Sequence, residues 1–273
     1  MKRILSILSV LAAALAVSTP ASAAPTPTRT APVTGEYVAL GDSYASGVGA
    51  GPYDPASGDC KQSPDSYPRT WARNHPGVAF KDMTCSGAKI DDVRARQLGA
   101  LSTRTTLVTI TVGGNDDGFT STVENCLTGS DALCKYSTDL GSWYARNTLV
   151  DRLAALYSEV RALAPNARVF VMSYPRVIDE GTGSCGAITP NAFKRTQMNN
   201  NADHMAEGIR SATERAGVKF VEMRLPFLGH QACSAEPWIN GVDATRISEI
   251  FHPNRYGYAV VYTFMLQMET DVH

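Results

Sequence analysis

A serine, a glycine, an asparagine and a histidine follow one another inside four short islands: Gly41-Asp42-Ser43-Tyr44, Cys85-Ser86-Gly87-Ala88, Gly113-Gly114-Asn115-Asp116 and Glu249-Ile250-Phe251-His252-Pro253. Acyl transfer needs a nucleophile, donors for an oxyanion and a base, and these residue types can fill those roles. Ser43 brings a hydroxyl. Gly87 allows a backbone N–H to come close to a developing oxyanion, because no Cβ intervenes. The side-chain NH₂ of Asn115 can donate to the same oxygen, which an aspartate could not do. The His252 imidazole is the usual base for a serine nucleophile, and Pro253 after it disfavours helix at position 252. Glu249, three residues earlier, could orient the ring through its other nitrogen. Taken singly, Ser43 and Gly87 read more simply as turn residues and His252 as a structural histidine, while the double glycine straight after a buried strand already tips Asn115 towards function. The ordered set of four reverses that reading.

The islands need elements that carry them to one place. Tyr37–Leu40, Leu107–Val112, Arg168–Tyr174 and Lys219–Met223 are short apolar runs rich in β-branched residues, and Val78–Thr84 is a weaker one. Runs apolar on both faces suit parallel strands covered by helices on each side. Between them Val150–Leu163 sets Leu153, Leu156, Tyr157, Val160 and Leu163 on one helical face, with Pro165 as a stop. Thr189-Pro190 reads as an N-cap followed by a first helical residue, with a helix running to Arg215 and ended by Gly217. Ala259–Met268 reads as a terminal helix. Strand–helix alternation of this kind implies an α/β fold around a parallel sheet with right-handed crossovers. Catalytic groups in such sheets sit at the carboxyl ends of the strands, and Ser43 directly follows one. The segments Asp116–Asn147 and Gly229–Glu249 show no clean period and read as irregular loops that shape a substrate pocket.

The chain has 273 residues, with 25 basic against 26 acidic side chains. Lys2 and Arg3, the apolar run from Ile4 to Val17 and the triplet Ala21-Ser22-Ala23 make the three-part pattern of a secretory signal, residues 1–23. The apolar run is shorter than the ~20 residues a membrane span requires. Residues 24–35, rich in proline and threonine, read as a flexible leader, and residues 36–273 as a single domain. Without Lys2 and Arg3 the balance is 23 basic to 26 acidic. That mild charge, with no basic run, argues against nucleic acid or strong attraction to anionic lipid. No transmembrane segment is expected after cleavage, and nothing marks a subunit interface, so a monomer is expected.

Cys60, Cys85, Cys126, Cys134, Cys185 and Cys233 form an even set in an exported chain, which argues for disulfides. Sequence alone does not choose the pairing; chain order suggests Cys60–Cys85, Cys126–Cys134 and Cys185–Cys233. There is no Cys-x-x-Cys and no His-Glu-x-x-His, and the histidines are scattered, so no metal and no cofactor is expected.

With its four blocks in order and at compatible spacing, the chain resembles the SGNH, or GDSL, hydrolase family over Tyr37 to the C-terminal helix. Ser43 matches that family's nucleophile, Gly87 and Asn115 its oxyanion donors and His252 its base. The stretches GDSYASGVGAG, TVGGNDDGF and FHPN are similar to those of secreted actinobacterial esterases and lipases. The resemblance implies a flavodoxin-like three-layer α/β/α sandwich, three disulfides, no metal cofactor and hydrolysis of carboxylic esters, fatty-acyl esters first. Phospholipase A activity comes next, then carbohydrate O-acetyl esterase activity; a non-catalytic binding protein would have no need of a base opposite a serine. One position departs from the family pattern: Glu249 stands where an aspartate is usual. The third partner of His252 is therefore open between Glu249 and the carbonyl of Ile250. Phe119, Trp143, Tyr144 and Trp238 are candidates for the wall of an acyl pocket.

Overall fold

The computed structural model describes residues 34–271; the expected signal and most of the leader lie outside them. Five strands form one sheet: β1 (Gly35–Gly41), β2 (Val78–Asp82), β3 (Thr105–Thr111), β4 (Arg168–Met172) and β5 (Lys219–Val221). Every pairing is parallel and the spatial order is β2-β1-β3-β4-β5. This is the flavodoxin-type order, in which the chain reverses direction across the sheet between β1 and β3. β1, β3 and β4 are buried almost throughout, as their unbroken apolar runs require, whereas β2 is only half-buried at the sheet edge.

Helices close both faces. On one side lie α1 (Ser43–Ser46) and α2 (Tyr67–Asn74). The other side begins with α3 (Ile90–Arg96), α4 (Phe119–Thr128) and α5 (Asp131–Tyr144). α5 passes through a π-helical turn, Ala145–Leu149, into α6 (Val150–Leu163), and α7 (Ala192–Ala216) packs across α4, α5 and α6. A second π-helical segment, Tyr258–Thr263, joins α8 (Arg255–Gly257) to α9 (Phe264–Asp271), against α2. The result is a three-layer α/β/α sandwich. The six cysteines pair as Cys60–Cys85, Cys126–Cys134 and Cys185–Cys233.

Three local expectations differ from the structure. The segment Asp116–Asn147 is not an irregular loop but mainly the helical hairpin α4–α5, stapled at its bend by Cys126–Cys134. Its period is hidden because the inward face of α5 is made of Ser137, Thr138, Gly141 and Ser142. The long helix α7 is capped by Asn191, whose side chain accepts from Lys194 N–H, and not by Thr189. The Thr189 hydroxyl instead accepts from Cys185 N–H, and the Pro190 carbonyl accepts from the buried Arg195 guanidinium. Leu163, expected in the core face of α6, is exposed, while Leu153, Leu156, Tyr157 and Val160 are buried.

Leu107 is fully buried at the centre of β3. Leu107→Ala is expected to cost ~2–5 kcal/mol in urea denaturation, through lost transfer energy and a residual cavity. Leu163→Ala should change stability by no more than ~0.5 kcal/mol.

Candidate active site

The carboxyl ends of β1 and β3 meet where the strand order reverses, and both turns that leave them carry a residue of the expected set. Gly41 ends β1 at φ 129°, and a Cβ there would sit 2.2 Å from the Thr111 carbonyl oxygen, so only glycine lets the two strands close. Asp42 then caps α1: its Oδ1 accepts from Tyr44 N–H at 3.0 Å, and Ser43 becomes the first helical residue. Its other oxygen accepts from the Tyr174 hydroxyl at 2.5 Å, and that hydroxyl in turn accepts from Gly114 N–H at 3.1 Å. Burial pushes the Asp42 carboxyl up to about 7, against the two hydrogen bonds that favour its charge. Gln97 clamps the strand end from the side, accepting from Gly41 N–H at 2.7 Å and donating to the Gly41 carbonyl at 3.0 Å.

His252 arrives from the far end of the chain. Its Nε2 lies 2.8 Å from Ser43 Oγ and its Nδ1 lies 3.1 Å from the Ile250 carbonyl. A carbonyl only accepts, so Nδ1 carries the proton, and Nε2 of the neutral ring is left to accept from the serine hydroxyl. The loop is held by a bridge between Ile239 and Pro253 and by reciprocal backbone bonds between Asn240 and residues 251 and 252. The Tyr44 hydroxyl donates to the Phe251 carbonyl at 2.6 Å, tying the histidine loop to the residue after Ser43. Phe251 is buried at φ 58°, a conformation rare for a large side chain. Burial of the imidazole pushes His252 down to about 4, so the ring is neutral at pH 7.

Glu249 is turned elsewhere. Its carboxylate accepts from the Tyr53 hydroxyl at 2.7 Å and pairs with Arg246 at 3.3 Å. Tyr53 in turn accepts from Gly49 N–H. Glu249 thus braces the histidine loop against the turn after α1, and the Ile250 carbonyl is the acceptor that faces Nδ1 of the ring.

Asn115 follows Gly113 (φ 123°) and Gly114 after β3. Its Nδ2 donates to the Ala88 carbonyl at 3.0 Å, which occupies one of its two N–H groups. Next to it, Asp116 accepts from Ile90 N–H at 3.0 Å and from Arg152 at 2.7 Å, so the turn holding Gly87 is fastened to the turn holding Asn115. Gly87 sits at φ 80° on that turn, which Cys60–Cys85 pins from behind. The N–H groups of Ser43 and Gly87 find no acceptor among the described residues. Ser43 and Asn115 line one cleft, whereas Gly87 is exposed on the adjoining groove with Cys85, Ser86 and Ala88.

That cleft runs from Ser43 between α4 and α7, walled by Phe119, Val123, Val177, Met198 and Met205. Of the four aromatic candidates only Phe119 belongs to it. Trp143 is exposed on α5, the Tyr144 hydroxyl accepts from Arg152, and Trp238 stacks on His230. Asp117 lines the cleft too: Asn201 donates to one of its oxygens at 3.1 Å, the other is buried without a partner among the described residues, and burial pushes the carboxyl up to about 6. Gln97, Tyr174, Tyr44 and Tyr53 carry no local sequence signal for these positioning roles, because each acts through a contact distant along the chain.

The profile of the GDSL-like Lipase/Acylhydrolase family matches residues 39–260. Lipase 1 of Streptomyces coelicolor is 41% identical over 221 residues, covering 81% of this chain and 81% of that protein. The crystal structure of a phospholipase A1 from Streptomyces albidoflavus superposes with a TM-score of 0.83 at 38% identity, covering 86% of this chain and 99% of that one. An extracellular lipase from Streptomyces rimosus superposes at 0.82, again at 38% identity and with coverage of 86% and 99%.

Two measurements check the histidine's surroundings. Glu249→Gln, which keeps an acceptor for Tyr53, is expected to hold kcat within ~10-fold; a drop approaching the ~10⁴ seen on loss of a triad carboxylate would make Glu249 the orienting group. A His252 base would work when neutral, so its own protonation should cut kcat/KM only as the pH drops through about 4, below the range in which Asp42 (about 7) and Asp117 (about 6) titrate. The ring's own titration, read by NMR of the His252 imidazole protons, separates it from those carboxyls; a midpoint near ~6.5 would mean that the ring is not desolvated.

Proposed function

Because the chain belongs to the GDSL-like lipase/acylhydrolase family, and so is a carboxylic ester hydrolase, we propose that it is a secreted enzyme cleaving fatty-acyl esters through an acyl-enzyme on Ser43. The observation that carries this reading is the 2.8 Å contact of Ser43 Oγ with a neutral His252 beside an apolar cleft.

Nε2 of His252 takes the Ser43 proton as Oγ attacks the ester carbonyl carbon. The carbonyl oxygen becomes an oxyanion, held by the N–H groups of Ser43 and Gly87 and by the Asn115 side-chain amide. The intermediate collapses, the C–O bond to the alcohol breaks, and His252 returns the proton to the leaving oxygen. Water then gives a proton to the same nitrogen and attacks the acyl-enzyme, releasing the acid and restoring the Ser43 hydroxyl. During both halves the imidazolium is steadied by its Nδ1–H bond to the Ile250 carbonyl. A carbonyl dipole suffices where the ring must stay neutral in the resting enzyme and carry charge only in passing.

The apolar walls of the cleft favour a hydrocarbon acyl chain, which weighs against a sugar deacetylase. The 38% identity to a phospholipase A1 makes phospholipid esters the second substrate class to test. The disulfides, and the extracellular lipase among the relatives, support residues 1–23 as an export signal ahead of a leader (24–35) and one catalytic domain.

The test is hydrolysis of p-nitrophenyl esters from acetate to palmitate. Activity extending to medium or long chains and abolished in Ser43→Ala is expected; activity confined to acetate would overturn the fatty-acyl reading. Asn115→Ala should lower kcat by ~10²–10³, the effect of losing one oxyanion donor, and an unchanged kcat would remove Asn115 from the site.

A further inference from the structure

Helix α5 is built inside out. The face it turns to α4 and α7 carries Cys134, Ser137, Thr138, Gly141 and Ser142, all buried. It is held there by the Cys126–Cys134 bridge and by Asn125 donating to Ser137 Oγ at 2.7 Å. The packing is close: a Cβ on Gly141 would come within 2.8 Å of Asn201 Nδ2 and 2.9 Å of Asp117 Oδ2. The outward face carries the large apolar side chains. Leu133, Tyr136, Leu140 and Trp143 follow at steps of three, four and three residues, which sets them in one stripe along the helix. They are 42%, 66%, 55% and 54% exposed, and the last three rim a groove shared with Gln197, Asn200 and His204 of α7. A surface helix of a water-soluble domain ordinarily shows the opposite arrangement, and contiguous exposed apolar rows mark interaction surfaces.

The occupant follows from the chemistry of the stripe and from what it adjoins. The cations beside it are already engaged, Lys135 with Asp139 at 2.6 Å and Arg146 with His204 at 2.9 Å, and α5 itself, with Asp131, Lys135 and Asp139, has a net charge of −1, which argues against an anionic partner. Tryptophan and tyrosine among leucines suit a boundary between water and hydrocarbon, where the rings lie at head-group level and the aliphatic side chains below it. The other helix of the same stapled hairpin, α4, contributes Phe119, Thr122 and Val123 to the cleft beside Ser43. The stripe and one wall of the acyl cleft thus belong to the same disulfide-stapled hairpin. We propose that this face docks the enzyme on an uncharged or zwitterionic lipid surface, from which acyl chains enter the cleft. The proposal rests on the fatty-acyl ester reading above and adds the physical form in which the substrate is met.

The experiment compares the full protein with the double variant Leu140→Ser, Trp143→Ser, both changes at exposed positions outside the cleft. Binding is read by co-sedimentation with vesicles of dialkyl-ether phosphatidylcholine, which cannot be hydrolysed at an acyl ester. Activity is read on monomeric p-nitrophenyl butyrate and on phosphatidylcholine vesicles or an emulsified long-chain ester. The expected result is vesicle binding by the parent protein, reduced ~10-fold or more in the variant as apolar area is withdrawn from the lipid boundary. The rate on aggregated substrate should fall in parallel, with the butyrate rate within ~2-fold of the parent, as a surface change implies. Absence of vesicle binding by the parent overturns the proposal. So does an equal fall on both substrates, or self-association in solution that the substitutions abolish, which would assign the stripe to a second copy of the chain. Failure of the parent to hydrolyse butyrate would instead defeat the ester-hydrolase chemistry, and vesicle binding would still report on the stripe independently.

Discussion

The carboxyl group of Asp42, buried at the junction of three strand ends, holds the candidate site together. It accepts from Tyr44 N–H just beyond Ser43 and from the Tyr174 hydroxyl beyond β4, and that hydroxyl accepts from Gly114 N–H beyond β3. A buried acceptor left unpaired costs ~1–3 kcal/mol, so none of these turns can shift alone without exposing the others to that penalty. Gln97 fixes Gly41 by two further bonds, and Gly41 itself allows β1 and β3 to approach as closely as they do. The serine turn and the asparagine turn are thus positioned by one polar cluster inside the apolar sheet.

The histidine depends on a second consequence of burial. Removing the imidazole from water favours its neutral form, and its single Nδ1 proton then selects the tautomer through the Ile250 carbonyl. A buried carboxylate in that position would carry its own desolvation cost. Here Glu249 stays at the margin, bonded to Tyr53 and Arg246, and acts on the loop rather than on the ring. The Tyr44 hydroxyl on the Phe251 carbonyl then couples the His252 loop to the Ser43 turn across 207 positions of sequence.

Much of this was legible before the fold was known, and the reasons are specific. Continuous apolar runs marked β1, β3 and β4, because strands buried on both faces cannot alternate. Ser43, Asn115 and His252 stand out because their types and order suit one reaction; the fold brings Ser43 and Asn115 to one cleft and His252 Nε2 to 2.8 Å from Ser43 Oγ, while Gly87 lies exposed on a separate groove. What was hidden falls into two kinds. Gln97, Tyr174 and Tyr53 work through partners far along the chain, so no local pattern announces them. Helix α5 was missed because its packing face is small and polar, which erases the inward apolar period on which such assignments rest. The choice between Glu249 and the Ile250 carbonyl was open for a related reason: only the position of Tyr53 explains where the carboxylate turns.

The central claim is that a Ser43 nucleophile, a neutral His252 and three donors form one acyl-transfer site. Its most direct test is inactivation by a p-nitrophenyl alkylphosphonate, followed by peptide mapping and a crystal structure of the adduct. The account predicts a single phosphonyl group on Ser43 Oγ, with its oxygen ~2.7–3.1 Å from Ser43 N, Gly87 N and Asn115 Nδ2 and its alkyl chain along Phe119 and Val123. Labelling of another residue, or an adduct oxygen beyond reach of Gly87 N and Asn115 Nδ2, would contradict it.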